Sequence, residues 1–341
     1  MEDIRHITQD DLCLFVADVH EKSFRAKQIH EWLWKKGVGS FDEMTNIGKV
    51  LQEKLKENFT FHRAKVEMEA KSGDQTVKFG FRLHDSKMIE GVLIPAGQRV
   101  TACVSTQVGC AMRCAFCATG QMGFIRNLHF SEIYDQFLLM NEKALEYYGN
   151  AISNIVYMGM GEPLLNFSNV MKSINLLTSS EGQGLSPQRI TLSTAGIIEG
   201  IRKLADANFK PGLAVSLHSA DPKKRIHLMP VTEHNPLDKL QEVLKYYHLK
   251  TGERVTFEYL LLNGINDSLR DAEVLANYCR AFPVKINLIE FNATDSPFQK
   301  SEPENVRKFI QFLESRNMVV NLRHSRGKDI AAACGQLVKK Q

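Results

Sequence analysis

Short strand-like runs alternate with amphipathic helical stretches from about residue 100 to residue 321 of the 341-residue chain. Repeated units of this length imply parallel strands joined by right-handed crossovers, as a barrel or as a doubly wound sheet. Both arrangements gather ligands at the carboxyl ends of the strands, so functional residues are expected there. The strand runs centre on Cys103–Val104, Ile155–Tyr157, Ile190–Leu192, Leu213–Val215, Val255–Phe257, Ile286–Leu288 and Val319–Asn321. The helical stretches cover residues 131–147, 167–178, 236–250, 271–280 and 303–316.

Two other patterns precede the alternating region. Apolar residues from Phe24 to Leu33 recur near a helical period, which predicts a helical accessory domain over residues 1–60. The period then changes to two on either side of a turn signal, which predicts an antiparallel hairpin within a small β extension over residues 61–98. The α/β core is predicted over residues 99–341.

The composition is that of a globular protein: 43% of the residues are hydrophobic and 24% are charged, which excludes disorder and low complexity. The apolar runs stop far short of the ~18 residues that a membrane span needs. The first ten residues are polar and acidic, unlike a secretory signal. We therefore expect a cytoplasmic protein with no membrane contact.

The net charge of +4 is too small to indicate a nucleic-acid partner by itself. Basic residues nevertheless outnumber acidic ones by ten to six over residues 21–65 and by nine to four over residues 300–341. Such clusters are either solvated helix faces or contacts for phosphates.

Four of the seven cysteines fall within fifteen residues, which indicates metal or redox chemistry in a reducing compartment. Cys110, Cys114 and Cys117 are spaced four and then three residues apart, just past the first predicted strand. Zinc sites with four cysteines usually consist of two CxxC pairs, and no second pair exists. Three thiolates suit an iron–sulfur cube whose fourth iron stays open to a substrate. A zinc site completed by His129 or Cys103 is the alternative.

The CxxxCxxC spacing resembles that of the radical S-adenosylmethionine (SAM) superfamily. The wider run CVSTQVGCAMRCAFCATGQMGFIRNL is similar, more narrowly, to the RlmN/Cfr family of RNA adenine methyltransferases. The likeness extends over nearly the whole chain through IEGVLIP, MGMGEPLLN, TLSTAGI, SLHS, KINLIEFN and RGKDIAAACGQL. The resemblance implies a partial (β/α)6 TIM-like barrel. It also implies a [4Fe-4S] cluster on the three cysteines, with the amino and carboxylate groups of SAM on the fourth iron.

The resemblance also assigns contacts with SAM to polar residues at predicted strand ends. On the sequence alone, each of these polar residues would more often be a turn or cap residue, and a tight turn explains the glycines of Gly159–Gly161 as well as a ligand contact does. The implied contacts are Gly161, Glu162, Ser193, Ser216, Leu217, His218 and Asn292.

A mechanism with two further cysteines follows from the resemblance. Carbon 2 of adenine is electron-poor, so it cannot act as the nucleophile that attacks the methyl group of SAM directly. The family pattern implies that Cys334 carries the methyl group as S-methylcysteine, that a second SAM supplies a radical, and that Cys103 resolves the protein–RNA adduct through a transient disulfide. Glu90 matches the residue that the family pattern assigns as the acceptor of the adenine ring proton. Without the resemblance, the cysteines would be small buried apolar residues and Glu90 a solvated strand-edge residue.

The implied substrates are adenosine 2503 of 23S rRNA and adenosine 37 of tRNA, with flavodoxin or a similar carrier as the reductant. The basic stretch 21–65 and the residues Arg323, Arg326 and Lys328 are candidate phosphate contacts, and Arg113 either joins them or caps a turn. The alternatives are methylation of C8, as in the Cfr branch, and a zinc-stabilised RNA-binding protein without catalysis. Pro163 and the lead-in Gln107–Gly109 favour the C2 branch.

Overall fold

The N-terminal residues form helices beside a two-stranded parallel ribbon. In the computed structural model, which describes residues 1–294 and 296–337, β1 (Glu2–Asp3) pairs with β2 (Phe59–Thr60). The helices are α1 (Gln9–Asp18), α2 (Phe24–Trp34) and α3 (Lys49–Asn58). Helices therefore occupy the segment where they were predicted. A buried ion pair, Arg5 Nη1 to Asp135 Oδ1 at 2.7 Å, attaches this region to the core.

A single sheet of ten strands runs through the rest of the molecule in the order β14-β13-β12-β11-β10-β9-β6-β5-β4-β3. Its antiparallel strands are β3 (Lys65–Lys71), β4 (Val77–Arg82) and β5 (Met88–Ala96), which lead into β6 (Arg99–Cys103). A separate ribbon pairs β7 (Gln107–Gly109) with β8 (Phe124–Asn127). The parallel strands after β6 are β9 (Asn154–Tyr157), β10 (Ile190–Thr194), β11 (Gly212–Ser216), β12 (Val255–Leu261), β13 (Val284–Glu290) and β14 (Val319–Arg323).

The strand order decides between the two architectures that the alternation allowed. From β6 to β14 the parallel strands follow one another in chain order, with no reversal of the kind that defines a doubly wound sheet. With right-handed crossovers, all the helices then lie on one face, and the sheet curls into an open barrel. The prediction of a partial α/β barrel is confirmed: β6 to β13 supply six strands, and β14 adds a seventh parallel strand at the edge.

The helices of the barrel alternate with its strands. They are α4 (Ala118–Met122), α5 (Phe130–Tyr148), α6 (Phe167–Thr178), α7 (Ile198–Asp206), α8 (Pro222–Leu228), α9 (Leu237–Thr251), α10 (Leu269–Tyr278) and α11 (Pro303–Ser315). Of these, α4, α7 and α8 were not predicted. In the described part of the chain, no helix has the length and apolar character needed to cross a membrane.

The predicted hairpin is present as β3 and β4, but its sheet does not end near residue 98. β5 and β6 pair in antiparallel register, with Val92 opposite Cys103, so the β extension continues directly into the barrel. The pairing places β5 beside the first barrel strand, with the hairpin of β3 and β4 next to β5. The division into three domains stays a prediction.

Candidate active site

One cavity opens at the carboxyl ends of the parallel strands, where the barrel architecture places ligands. Most of the residues predicted to act are brought together in its lining. The predicted residues that line it are Cys110, Cys114, Cys117, Gly161, Glu162, Ser193, Ser216, His218, Asn292 and Cys334. Leu217, Cys103 and Glu90 are not among the lining residues.

The three-cysteine loop runs from the end of β7 to the start of α4. Gly109 begins it at φ +73°, and a Cβ there would lie 1.9 Å from the carbonyl oxygen of Gly123. The same carbonyl accepts a 2.8 Å hydrogen bond from the amide of Cys110. No other residue fits at position 109, because a side chain would displace the backbone that turns the loop toward the cavity.

The loop residues fit an iron–sulfur cube better than a single metal ion. Burial raises the pKa of the Cys110 thiol to about 12 and that of Cys114 well above its ordinary value, and neighbouring thiols add to both shifts. A cationic cluster would offset this cost, because it binds thiolates. Among the described residues, no three His, Cys, Asp or Glu side chains surround one ion position. Zinc would need that convergence, since Zn–S bonds of about 2.3 Å draw the sulfurs together, whereas a cube is wider.

His129, one of the two residues suggested to complete a zinc site, lies elsewhere. It caps the start of α5, its Nδ1 is 3.0 Å from Ser131 Oγ, and its ring contacts that of His6. These residues line a second cavity, between the N-terminal region and the core. Cys103, the other suggestion, does not line the cavity of the three thiols.

Gly161 and Glu162 follow β9 at the cavity wall. Gly161 has φ +100°, and a Cβ there would lie 2.5 Å from the Gln107 side chain. The Glu162 carboxylate accepts hydrogen bonds from the amides of Ala195 (2.7 Å) and Leu164 (3.1 Å). Burial outweighs these bonds and raises the pKa of Glu162 to about 7. A buried carboxylate that faces the cavity suits an ammonium group, whose charge would stabilise the ionised form.

The remaining predicted contacts lie on successive strand ends. Ser193 and Ser216 belong to β10 and β11, and both line the cavity. His218 adopts φ +55°, and its Nδ1 accepts a hydrogen bond from the amide of Leu260 (3.0 Å), which leaves the proton on Nε2. Burial lowers the pKa of His218 to about 3, so the ring is neutral. Leu217 is completely buried, and its side chain packs in the hydrophobic core and does not line the cavity.

Asn292 joins the cavity to the C-terminal segment. Its Nδ2 donates to the carbonyl oxygen of Cys334 at 3.2 Å. Its Oδ1 is buried and has no hydrogen-bond partner in the described structure. Because a buried acceptor without a partner is costly, this oxygen indicates a donor on a ligand in the cavity.

The segment 327–337 delivers Cys334 to the cavity. The carbonyl oxygen of Gly335 accepts from the amide of Ala118 (2.8 Å), and Thr119 Oγ1 donates to the carbonyl oxygen of Leu337 (2.5 Å). On the other side, Asp329 accepts from Ser72 Oγ at 2.6 Å. The segment therefore bridges the three-cysteine loop and the hairpin.

Cys103 ends β6 and is buried near Cys334. Burial raises the pKa of Cys103 to about 12, and the charge of Cys334 adds to the shift. The Cys334 side chain is exposed, but its surface faces the cavity, where the surrounding protein desolvates it and raises its pKa. All the cysteines are free thiols, so the structure contains no disulfide between this pair.

Glu90 is not the solvated edge residue that its sequence context suggested. It lies in β5, between β4 and β6, and is 1% exposed. Its Oε1 is 3.3 Å from Lys78 Nζ, and its carbonyl oxygen accepts from Ser105 Oγ at 2.6 Å. Lys78 also donates to the carbonyl oxygen of Ala331, which connects this ion pair to the segment of Cys334.

Two charged residues of the site, Arg225 and Glu258, were not predicted from the sequence. The Arg225 guanidinium is fully buried and donates to the carbonyl oxygens of Ala195 (2.7 Å) and Ser216 (3.2 Å), so it fixes the ends of β10 and β11. Its run Asp-Pro-Lys-Lys-Arg suggests only a solvated helix start. Glu258 of β12 lines the cavity and forms an ion pair with Arg323. The one sequence signal for a role of Glu258 was a charged residue at a polar position in the alternating pattern of the strand.

The chain matches two family models. Residues 3–61 match the ribosomal RNA large subunit methyltransferase N-terminal domain, and residues 104–275 match the radical SAM superfamily. Membership of that superfamily implies SAM and a [4Fe-4S] cluster as cofactors.

Full-length relatives agree with both matches. The chain is 47% identical over 341 residues to the probable dual-specificity RNA methyltransferase RlmN of Flavobacterium psychrophilum, covering 100% of this chain and 98% of the relative. It is 44% identical to the dual-specificity RNA methyltransferase RlmN of Desulfotalea psychrophila, covering 98% and 94%. A crystal structure of a radical SAM methyltransferase from Sphaerobacter thermophilus superposes with a TM-score of 0.93 at 38% identity, covering 99% of each chain. The chain therefore belongs to the RlmN family of radical SAM RNA methyltransferases.

Proposed function

We propose that the chain methylates C2 of adenosine 2503 in 23S rRNA and of adenosine 37 in tRNA, through an S-methylcysteine at Cys334. The observation that carries the proposal is the position of Cys334. It comes 217 positions after the last cysteine of the loop and lines the same cavity. Asn292 donates a hydrogen bond to its carbonyl oxygen, and Ala118 donates one to that of the next residue, Gly335. A sulfur there lies where a methyl donor would bind.

Three cavity residues would hold SAM. The Glu162 carboxylate suits its ammonium group, His218 offers an Nε2–H donor, and the unpartnered Asn292 Oδ1 offers an acceptor. The thiols of Cys110, Cys114 and Cys117 would hold the cluster. When bound, the cluster and SAM supply an organic radical in addition to the methyl group, and two SAM molecules are consumed per turnover.

Cys334 and Cys103 carry out the two remaining steps. Cys334 Sγ loses its proton and attacks the methyl carbon of one SAM, so that the methyl group passes to Cys334 and S-adenosylhomocysteine leaves. After the carbon of that methyl group has joined the adenine, Cys103 Sγ attacks Cys334 Sγ, forms a transient disulfide and releases the methylated base. An external reductant such as flavodoxin then reduces this disulfide back to two thiols, which suits a cytoplasmic enzyme.

Glu90 is the proton acceptor in this proposal. Because it is buried and ion-paired with Lys78, it can act only after the segment of Cys334 or the RNA has opened a path to it. Its carbonyl oxygen accepts a hydrogen bond from Ser105, two residues after Cys103 in the chain. The basic stretch 21–65 and the residues Arg323, Arg326 and Lys328 would contact phosphates, and Arg113 is a further candidate.

The test is reconstitution of the chain with iron and sulfide under anaerobic conditions, followed by incubation with SAM, a reductant and unmodified 23S rRNA or tRNA. Mass spectrometry of the nucleosides should show 2-methyladenosine. The appearance of 8-methyladenosine without the 2-methyl isomer would contradict the proposal. A colourless, iron-free protein that binds RNA would instead support the zinc-stabilised alternative.

A further inference from the structure

One buried lysine lies on the same face of the sheet as two residues of the proposed chemistry. Lys78 of β4 and Cys103 of β6 are both paired with Val92 of β5, on its two sides. Paired residues of neighbouring strands point to the same face of a sheet, and so do residues two positions apart in one strand. Glu90, two positions before Val92, therefore shares this face with Lys78 and Cys103.

The shared face is turned toward the inside of the barrel. Gly91 points the other way, where a Cβ would lie 3.4 Å from Met140 of helix α5, and the helices cover the outside of the barrel. Lys78 is 8% exposed and is the one lysine buried in the described part of the chain. A buried ammonium group is costly unless acceptors surround it, so the partners of Lys78 identify what this residue holds.

Two acceptors from distant parts of the chain bind the Lys78 ammonium group. One is the buried Glu90 carboxylate, whose Oε1 lies 3.3 Å from Nζ. The other is the carbonyl oxygen of Ala331, also at 3.3 Å. Ala331 comes three positions before Cys334 and has φ +51°, a left-handed conformation that alanine rarely adopts. The bond from Lys78 therefore stabilises a strained turn in the segment that carries Cys334.

The backbone of Glu90 is held independently of Lys78. Its carbonyl oxygen accepts a hydrogen bond from Ser105 Oγ at 2.6 Å, and its amide donates to Met160 Sδ at 3.3 Å. Removal of the Lys78 charge should therefore leave β5 in place and affect the carboxylate of Glu90 alone in that strand.

We propose that Lys78 is a positioning residue that holds the Glu90 carboxylate and the segment of Cys334 in one arrangement. The proposal rests on the function proposed above, in which Glu90 accepts the ring proton of the adduct. In that transfer the carbon–hydrogen bond breaks with its electron pair left on the ring, and the proton bonds to a carboxylate oxygen. Without a cation beside it, a buried carboxyl group favours its protonated form, which cannot accept a proton.

The first test measures amide hydrogen exchange of the segment 327–337 in the reconstituted full chain, without SAM or RNA. It compares Lys78→Met with Lys245→Met, which makes the same chemical change at an exposed position of α9. In Lys78→Met we expect exchange in the segment to be about tenfold faster, because the bond to Ala331 is lost, and exchange in α10 to be unchanged. Exchange in the segment equal to that of Lys245→Met would overturn the proposal.

A double variant keeps the test decisive if Lys78→Met does not fold. Lys78→Met combined with Glu90→Gln removes both charges, so no buried ion is left unpaired. Its segment should exchange about tenfold faster than that of Glu90→Gln alone, since only the double variant lacks the bond to Ala331. Equal exchange in these two proteins would overturn the proposal.

The second test follows two steps of the reaction, because each depends on a different partner of Lys78. Incubation with SAM alone reports the position of the segment through the methyl group gained by Cys334. Release of RNA from the covalent adduct, measured by denaturing gel electrophoresis, reports Glu90. Asp329→Ala, which removes another attachment of the segment, should slow only the first step, and Glu90→Gln only the second. Lys78→Met should slow both steps about tenfold.

The outcomes separate this proposal from the proposed function. Normal release of RNA in Lys78→Met would show that Lys78 does not hold Glu90 for the reaction, and normal methylation of Cys334 would show that it does not hold the segment. Either result would overturn the proposal. If the unsubstituted chain gains no methyl group on Cys334 and forms no adduct, the proposed function fails, whereas the exchange measurements still decide whether Lys78 holds the segment.

Discussion

At the scale of single residues, the proposed chemistry depends on two cysteine side chains. Cys334 lies among alanines and Cys103 at the end of a strand, which are contexts typical of buried cysteines. The charge of Cys334 nevertheless adds to the rise in the pKa of Cys103, although the two cysteines are 231 positions apart in the chain. Their roles can be separated because each acts at a different step.

Substitution of either cysteine should stop turnover at a different point. Cys103→Ala cannot resolve the adduct, so a covalent protein–RNA species should accumulate. Cys334→Ala has no sulfur to carry the methyl group, so no adduct should form. Denaturing gel electrophoresis with labelled RNA measures both outcomes, and Cys279→Ala, at a buried cysteine remote from the cavity, is the control. Methylation of RNA by Cys334→Ala would show that the two-cysteine mechanism is wrong.

Gly109→Ala tests the turn that starts the three-cysteine loop. The added Cβ would collide with the carbonyl oxygen of Gly123, so we expect loss of most of the bound iron and a lower Tm. Gly97→Ala is a matched control, because Gly97 also has a positive φ but meets nothing within 4 Å. Its cost should be only about 1 kcal/mol and its iron content normal. Equal iron contents in the two variants would refute this account of the loop.

At the scale of elements, the segment 327–337 is the one on which the site depends most. It forms no strand, and its position comes from hydrogen bonds to three other parts of the chain. The amide of Gly327 donates to Asp74 Oδ2 at 3.0 Å, and this bond, with others from Thr76, outweighs burial and lowers the pKa of Asp74 to about 2. The attachment to the hairpin therefore persists across the neutral range.

Asp329→Ala should loosen this segment. Asp329 accepts from Ser72 Oγ and from the amide of Gly73 (3.1 Å), so its truncation removes both hydrogen bonds between the segment and the turn of the hairpin. Amide exchange across 327–337 should become about tenfold faster, and less methyl group should be found on Cys334 after incubation with SAM. Asp206→Ala, which removes one hydrogen bond between α7 and α9, is the control. Unchanged exchange would mean that the hairpin does not hold the segment.

At the scale of the whole molecule, the N-terminal helices and the barrel meet at a buried charge cluster. Arg5 pairs with Asp3 at 2.9 Å and with Asp135 at 2.7 Å, and all three side chains are almost completely buried. Burial raises the pKa of Asp135, and Arg5 opposes that shift. The cluster is therefore stable only while all three members are present.

Arg5→Met should lower the free energy of unfolding by about 3–5 kcal/mol at pH 7, because it leaves two buried carboxylates without a cation. Both carboxyls would then have a raised pKa in the folded state and would bind protons more readily there than in the unfolded state. The deficit should therefore shrink as the pH falls from 7 toward 5. Chemical denaturation at several pH values measures it. Arg82→Met, at an exposed ion pair with Glu67, is the control and should change the free energy of unfolding far less. A deficit in Arg5→Met that did not depend on pH would contradict this explanation.

The sequence by itself determined the α/β class, the positions of the barrel strands and the three-cysteine motif, because periodicity and spacing are local properties of the chain. Gly200 lowers the intrinsic helix propensity of α7, which was not predicted, and the glycine is required there because a Cβ would lie 2.7 Å from Leu164 of another element. Tertiary structure alone decided the barrel over the doubly wound sheet, the burial of Glu90 and the meeting of Cys334 with the cavity. These features depend on strand order and on contacts between residues far apart in the chain, and no local pattern encodes them.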